Sequence, residues 1–311
     1  MALDPLVKEF LDQQPPLSPP WEQSEAEARA GFREMVKANG PKDVPIGKVE
    51  TLTIAGPGGP LALRLYTPVA AGSEALPALV FFHGGAFRVG DFESHETLCR
   101  EFAGEAGCRV IAVDYRLAPE HPFPAAYDDA YAALGYIEAN AAALGIDPNR
   151  IAVGGDSAGG ALAAAICQRA KAEAGATIVY QLLLFPVTQL GGGFPSMQKY
   201  AEGFQLERVP LEYCYKLYAS ESQWRDPKLS PLLASDLSGL PPAYVMLAEY
   251  DVLHDEGLAY GEKLRAAGVT VTIAEHPGMI HDFILFGARF PQARASLVEA
   301  AKALKGVFDT I

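Results

Sequence analysis

Short apolar runs alternate with longer alanine-rich stretches along most of the chain. The runs cover residues 76–82, 108–113, 151–153, 178–185, 243–247 and 269–273, and Gly-rich or polar loops follow them. Each is too short for a helix of its own. Most are rich in Val, Ile, Leu or Phe, so they read as buried strands of a largely parallel sheet. The stretches 125–143 and 160–174 are rich in good helix formers. The stretch 256–267 has acids at its start, Lys263 and Arg265 near its end, and Gly268 as a C-terminal stop. Strands alternating with helices predict a doubly wound α/β sheet, with ligands outside the carboxyl ends of the strands. Segments 46–54 and 61–66 alternate more strictly and are joined through Gly56, Gly58 and Gly59. They predict an antiparallel hairpin at the sheet edge.

Two regions break the alternation. Residues 1–45 hold two amphipathic helix candidates separated by the Pro-rich stretch 14–20. Residues 188–228 follow a strand but carry Gly191, Gly192 and Gly193 and then Phe204, Tyr213, Tyr215 and Tyr218. An apolar insertion after a strand's carboxyl end sits where ligands enter. Both regions are therefore expected to form a helical cap on a single domain spanning 1–311. The bland alternative is a set of peripheral helices with no part in substrate binding.

Composition narrows the partners. Half of the 311 residues are hydrophobic and only a fifth are charged, which argues for a packed core and against disorder. The net charge is −13 and no Lys/Arg cluster stands out, which argues against nucleic acid or an acidic membrane as partner. No run of about 18 apolar residues is present to span a bilayer. The first ten residues lack a basic start and an apolar stretch, so a cytoplasmic protein is expected. Cys99, Cys108, Cys167 and Cys214 form no C-x-x-C pair and show no metal-ligand spacing with histidine. They read as buried or half-buried free thiols.

The strongest chemical signal is Gly155-Asp156-Ser157-Ala158-Gly159, between the apolar run 151–153 and the Ala-rich helix that follows. That strand–turn–helix setting is what a G-x-S-x-G nucleophile requires. The residues two before and two after the serine approach each other on so tight a turn, and only glycine avoids the clash. The helix behind also aims its N-terminal amides at the site, which favours negative charge there. A second signal, His83-Gly84-Gly85-Ala86-Phe87, follows the run 76–82. Acyl transfer builds negative charge on the carbonyl oxygen, and backbone amides fixed in advance stabilise it. Gly84 and Gly85 are assigned as donors, with the Ala158 amide as the third. His83 precedes the Gly pair and reads as a loop-bracing residue.

A serine hydroxyl needs a base, and the base needs an orienting acid. The order Ser, acid, His leaves His254, His276 and His281. His254 lies beside the acid candidate and His276 belongs with the end of the last strand. His281, in the loop beyond that strand, is taken as the base. Asp251, just past the run 243–247, is taken as the acid, with Glu249 as its nearest rival. Asp255 and Glu256 read as first-turn acids that complement a helix dipole. Phe32, Phe87, Phe204, Tyr213 and Tyr218 are candidates for the pocket wall.

Taken together, these motifs resemble the hormone-sensitive-lipase-like esterases, bacterial lipolytic family IV of the α/β-hydrolase superfamily. The resemblance runs from about Leu61 to Phe286. It includes His83-Gly84-Gly85-Ala86-Phe87, the run from Asp114-Tyr115-Arg116 through Glu120-His121-Pro122 to Ala126, Gly155-Asp156-Ser157-Ala158-Gly159-Gly160, Asp251-Val252-Leu253-His254-Asp255-Glu256-Gly257, and His281. It implies an eight-stranded, mostly parallel sheet with a two-part helical cap, and no cofactor. It also implies hydrolysis of short- to medium-chain acyl esters, and in many members a homodimer through the last strand and helix. Three departures stand out: Ala86 for a third glycine, Asp251-Val252-Leu253-His254 for the usual Asp-Pro-Leu-Arg, and Asp282 after His281 where glycine is frequent. Two other readings stay open. One is an amidase or peptidase on the same residues. The other is a non-catalytic small-molecule receptor, similar to plant gibberellin receptors, against which the presence of His281 argues.

Overall fold

The computed structural model describes residues 2–14, 18–72 and 74–311. Residues 15–17 of the expected Pro-rich break lie outside the described residues. In chain order the elements are α1 (Pro5–Gln13), α2 (Glu25–Asn39), β1 (Lys48–Gly56), β2 (Gly59–Thr67), β3 (Leu76–Phe82), α3 (Phe92–Ala106), β4 (Arg109–Asp114), α4 (Ala125–Ala139), β5 (Ile146–Asp156), α5 (Ala158–Ala172), β6 (Tyr180–Leu184), α6 (Pro195–Lys199), α7 (Arg208–Tyr218), β7 (Ala243–Tyr250), α8 (His254–Ala266), β8 (Val271–Ile280) and α9 (Pro291–Phe308). The strands form one eight-stranded sheet in the order β1-β2-β4-β3-β5-β6-β7-β8. β1 and β2 make the antiparallel edge hairpin expected from the alternation, β2 pairs antiparallel with β4, and every other pairing is parallel.

The continuous apolar runs are explained by burial on both faces. Successive side chains of a strand point to opposite faces. Ala78, Val80 and Phe82 of β3 enter one core with Leu162 and Ile166 of α5 and Leu134 of α4. Leu79 and Phe81 enter the other core with Phe102 of α3 and Leu297 and Leu304 of α9. The sheet is packed on both faces between these two cores, and its carboxyl edge carries the loops that follow β3, β5, β7 and β8.

Two strands run further than the apolar pattern predicts. β5 begins at Ile146, which pairs with Leu76 ahead of a register shift that absorbs the polar stretch 147–150. β8 continues through His276, Pro277 and Gly278 to Ile280, which pairs with Tyr250 after a second shift. His276 is thus inside the last strand, where Nδ1 meets Ser296 Oγ of α9 at 3.0 Å. The backbone pairing of these residues is tertiary, so no local run of apolar residues announces it.

α2 is started by a capping box in which Ser24 and Glu27 satisfy each other's backbone N–H groups. It is pinned across the loop after β3 by arginines. Arg29 Nε donates to the Arg88 carbonyl at 3.1 Å, and Arg33 Nε donates to Asp91 at 2.8 Å. In return Arg88, buried to 3 % exposure, donates to Glu25 at 2.7 Å. On the other side, Glu256 of α8 accepts the Thr188 N–H at 2.7 Å and Asp255 accepts the Ser196 N–H at 2.9 Å. These two acids do lie in the first turn of α8, yet their carboxylates hold the backbone of the segment after β6.

Candidate active site

The turn from β5 into α5 holds Ser157 at φ 52° and ψ −116°, a conformation that costs of order 1–3 kcal/mol for a non-glycine residue. Glycines on either side make it possible. A Cβ on Gly155 would stand 2.4 Å from the Phe82 carbonyl oxygen, and one on Gly159 would stand 1.9 Å from the same atom. The steric argument read from the motif therefore has a physical wall, the end of β3. The Ser157 N–H donates to the Leu184 carbonyl at 2.8 Å, which ties the turn to β6 as well. The hydroxyl stands at the N-terminus of α5, where the helix dipole is positive.

Asp251 follows β7 directly, and His281 follows β8 directly. The structure brings these three residues, separated by 94 and 30 positions in sequence, into one chain of hydrogen bonds. His281 Nε2 lies 3.0 Å from Ser157 Oγ, and Nδ1 lies 2.7 Å from Asp251 Oδ2. Asp251 Oδ1 accepts the Leu253 N–H at 2.9 Å. A carboxylate only accepts, so Nδ1 carries the proton and Nε2 offers its lone pair to the serine. The rival acid, Glu249, accepts the Gly278 N–H at 2.8 Å. His254 pairs with its neighbour Asp255, and neither histidine 254 nor 276 approaches Ser157.

Burial disfavours the imidazolium, but the carboxylates of Asp251 and Asp282 outweigh it and push His281 up to about 9. Asp282 follows at a left-handed φ of 57°, and its Oδ1 lies 3.4 Å from His281 Nε2. Burial raises its carboxyl to about 6, against the pull of His281.

The loop after β3 corrects one sequence assignment. The Gly84 N–H donates to Asp156 Oδ1 at 3.0 Å, inside the protein, and is spent there. Asp156 Oδ2 in turn meets His95 Nε2 at 3.1 Å, a fully buried pair in which each partner favours the other's charged form. The amides of Gly85 and Ala86 have no protein acceptor among the described residues, and both residues line the cavity in front of Ser157. Gly84 is thus the anchor of the loop, and the amides without a protein acceptor begin one residue later; Ala158 opens α5 directly after Ser157. The backbone takes positive φ in succession at Gly85 (φ 115°), Ala86 (φ 53°) and Phe87 (φ 60°) through this loop. His83 braces the loop as expected: it stacks on Tyr115 at 4.3 Å, and burial pushes its imidazole down to about 4.

The cavity has a volume of about 230 Å³. Its apolar wall comes from Ala28, Phe32 and Met35 of α2, Leu206 and Cys214, and Phe286. Of the five wall candidates only Phe32 is among the lining residues. Phe87 and Tyr218 are buried and stack on each other at 3.9 Å, Phe204 packs on Tyr250, and Tyr213 packs on Trp21. Ala28, Phe32 and Met35 share a helix face by their i, i+4, i+7 spacing, the one signal in the sequence that marks this wall. All four cysteines are buried free thiols. Among the described residues no group of three or more His, Cys, Asp or Glu side chains is arranged to hold a metal ion, and no helix is long and apolar enough to cross a membrane.

Comparison with known proteins points the same way. Residues 79–285 match the family model for the alpha/beta hydrolase fold. The chain is 37% identical over 310 residues to Esterase LipI of Mycobacterium tuberculosis, covering 98% of this chain and 95% of that one. It is 43% identical over 251 residues to the ethyl acetate hydrolase of Pseudomonas putida, covering 80% and 79%. Among solved structures, an ester-hydrolase from the metagenome of Lake Arreo, complexed with a derivative of bipyridine phosphonate, superposes with a TM-score of 0.94 at 37% identity over 99% of both chains. The chain belongs to the alpha/beta hydrolase fold family and, within it, to the hormone-sensitive-lipase-like esterases.

Proposed function

We propose that the protein hydrolyses carboxylic esters of short to medium acyl chain length through an acyl-enzyme on Ser157. His281 takes the Ser157 proton as the hydroxyl oxygen attacks the ester carbonyl. Asp251 fixes the imidazole tautomer and stabilises the imidazolium that forms. The amides of Gly85, Ala86 and Ala158 hold the oxyanion. The proton on Nε2 then goes to the departing alkoxide. Water, activated by the same imidazole, hydrolyses the acyl-enzyme. The observation that carries this reading is the unbroken contact from Asp251 Oδ2 through His281 to Ser157 Oγ, at 2.7 and 3.0 Å.

The size of the ester follows from the cavity. About 230 Å³ is below the usual 300–1,000 Å³ of ligand sites, and its wall is apolar, which suits a short alkyl chain. The helices within 1–45 and 188–228 act, in this reading, as the two parts of a cap on a single domain. α2 supplies the wall and the arginine contacts to the loop after β3 supply its fixed position. A cytoplasmic location and a homodimer along the β8 edge and α9 go with the same reading, and sedimentation equilibrium checks the dimer. The test of function is a series of p-nitrophenyl esters from acetate to dodecanoate. kcat/KM is expected to peak at or below octanoate and to vanish in Ser157→Ala. A rate that keeps rising to dodecanoate contradicts the short-chain assignment.

A further inference from the structure

Ala86 and Phe87 hold positive φ without being glycine, and such backbone persists only where its surroundings hold it. Within the turn, the Gly85 carbonyl accepts from the N–H groups of Arg88 and Val89, both at 3.0 Å. The other supports come from outside. The Phe87 carbonyl accepts the Ala118 N–H at 2.9 Å, and the Phe87 ring stacks on Tyr218 of α7 at 3.9 Å. Two arginines then exchange hydrogen bonds between the turn and α2. Arg29 Nε donates to the Arg88 carbonyl at 3.1 Å and Nη2 to the Ala118 carbonyl at 3.2 Å. The two terminal nitrogens of Arg29 also grip Glu120, at 2.9 and 2.6 Å. In the opposite direction the buried Arg88 guanidinium donates to Glu25 at 2.7 and 3.1 Å and to the Pro20 carbonyl at 3.0 Å. It also lies 5.7 Å from the centre of the Tyr213 ring of α7. The turn that carries the Gly85 and Ala86 amides is thus gripped by both segments that break the α/β alternation.

We propose that Arg29 is a positioning residue for the oxyanion: by holding the Arg88 and Ala118 carbonyls it keeps the Gly85 and Ala86 amides in place, so that α2 governs the chemical step as well as the pocket wall. This rests on the reading of Ser157 as nucleophile and of these amides as oxyanion donors. Arg29 is not among the cavity-lining residues, so it acts through the turn and not on the substrate. Fixed donors stabilise a developing charge because they need no reorganisation when it forms. That advantage is lost when the donors drift, and a misplacement of about 1 Å costs about a hundredfold in rate. The planar guanidinium fork suits the task, since its donors reach two carbonyls and a carboxylate at once. A different role for Arg29 would be to support the wall alone, because Ala28, Phe32 and Met35 of the same helix line the cavity. The two roles differ in what they do to a substrate too short to need the wall.

Two substitutions isolate the effect. Arg29→Met keeps an apolar stem and removes every donor. Glu25→Gln weakens the hold on Arg88 from the α2 side and leaves Arg29 intact. Wild type and both variants are compared on p-nitrophenyl acetate and p-nitrophenyl butanoate. They are also compared for inhibition by 1,1,1-trifluoroacetone, whose carbonyl carbon bonds reversibly to Ser157 Oγ while the hydroxyl proton passes to His281, leaving an anionic oxygen for the amides. In Arg29→Met, kcat is expected to fall about ten- to a hundredfold on both esters, with KM within about threefold of wild type. The inhibition constant of the ketone should rise by the factor by which kcat/KM falls, because both depend on the same donors. Glu25→Gln should show the same pattern at roughly three- to tenfold. A loss on butanoate that spares acetate overturns the proposal and makes Arg29 a support of the wall. A fall in kcat with an unchanged inhibition constant also overturns it, since that pattern means fewer folded molecules. So does turnover within about twofold of wild type in Arg29→Met. A wild type that cleaves neither ester defeats the reading of Ser157 itself.

Discussion

Asp251→Asn tests how the acid works, because the structure dictates which way the new amide must face. Asp251 Oδ1 accepts the Leu253 N–H at 2.9 Å and Oδ2 accepts His281 Nδ1–H at 2.7 Å. Asparagine has only one acceptor oxygen. With that oxygen on the Leu253 N–H, the amide NH₂ faces Nδ1, so Nδ1 must become the acceptor and the proton moves to Nε2. The lone pair that takes the serine proton is then gone, a change worth about 10⁴ in kcat. Turning the amide over restores the tautomer but sets NH₂ against the Leu253 N–H. That costs about 1–3 kcal/mol, which leaves roughly one molecule in six to one in a hundred and fifty in the productive form. The loss in kcat is therefore expected between about sixfold and 10⁴-fold, and beyond the lower limit because the imidazolium also loses its counter-charge. The assay is kcat on p-nitrophenyl butanoate, with ¹⁵N NMR of the imidazole to report the tautomer. Activity within fivefold of wild type, together with a Glu249→Gln variant that is inactive, would refute the reasoning.

Four more outcomes follow from the site. Gly159→Ala places a Cβ 1.9 Å from the Phe82 carbonyl oxygen, a backbone atom of β3 that cannot give way; a loss of about 3 kcal/mol or more in urea unfolding is expected, along with loss of turnover. The imidazole must be neutral to act as base, so kcat/KM should fall as pH drops below a free-enzyme pKa near 9, and Asp282→Asn, which removes one of the raising charges while Asp251 and Asp156 remain, should move that limb to lower pH. The same raised pKa makes His281 stabilising below its unfolded value of about 6.5, a contribution lost as pH rises through about 9, which thermal melts across that window will show. Phe32→Ala opens the α2 wall and should shift the acyl-chain optimum upward, by about fourfold in kcat/KM for each further methylene that becomes buried.

The features legible in the sequence were those set by local geometry. The buried strand cores, the Gly155 and Gly159 pair, and the order Ser157, Asp251, His281 follow from patterns that require particular residues at particular positions along the chain, whereas the extensions of β5 and β8 are set by tertiary pairing. The donor assignment slipped by one residue because nothing in the motif itself says which of its amides is spent inside the protein. The partner that consumes the Gly84 N–H, Asp156, is 72 positions away. The cavity wall was mostly hidden for a related reason. Aromatic residues near the insertion invited attention, yet Phe87 and Tyr218 satisfied each other by stacking, while the small residues Ala28 and Cys214 face the cavity. Asp255 and Glu256 were read through the helix dipole alone, since the backbone amides they hold at 188 and 196 become neighbours only in the fold.

The most direct test of the account is covalent trapping with a p-nitrophenyl alkylphosphonate, which mimics the tetrahedral species and reacts only with an activated nucleophile. The account predicts one phosphonyl group per chain, located by peptide mass spectrometry on Ser157, formed with release of one nitrophenolate, and slowed by orders of magnitude in His281→Ala. Stoichiometric label on any other side chain, or label on Ser157 at an unchanged rate in His281→Ala, would contradict it.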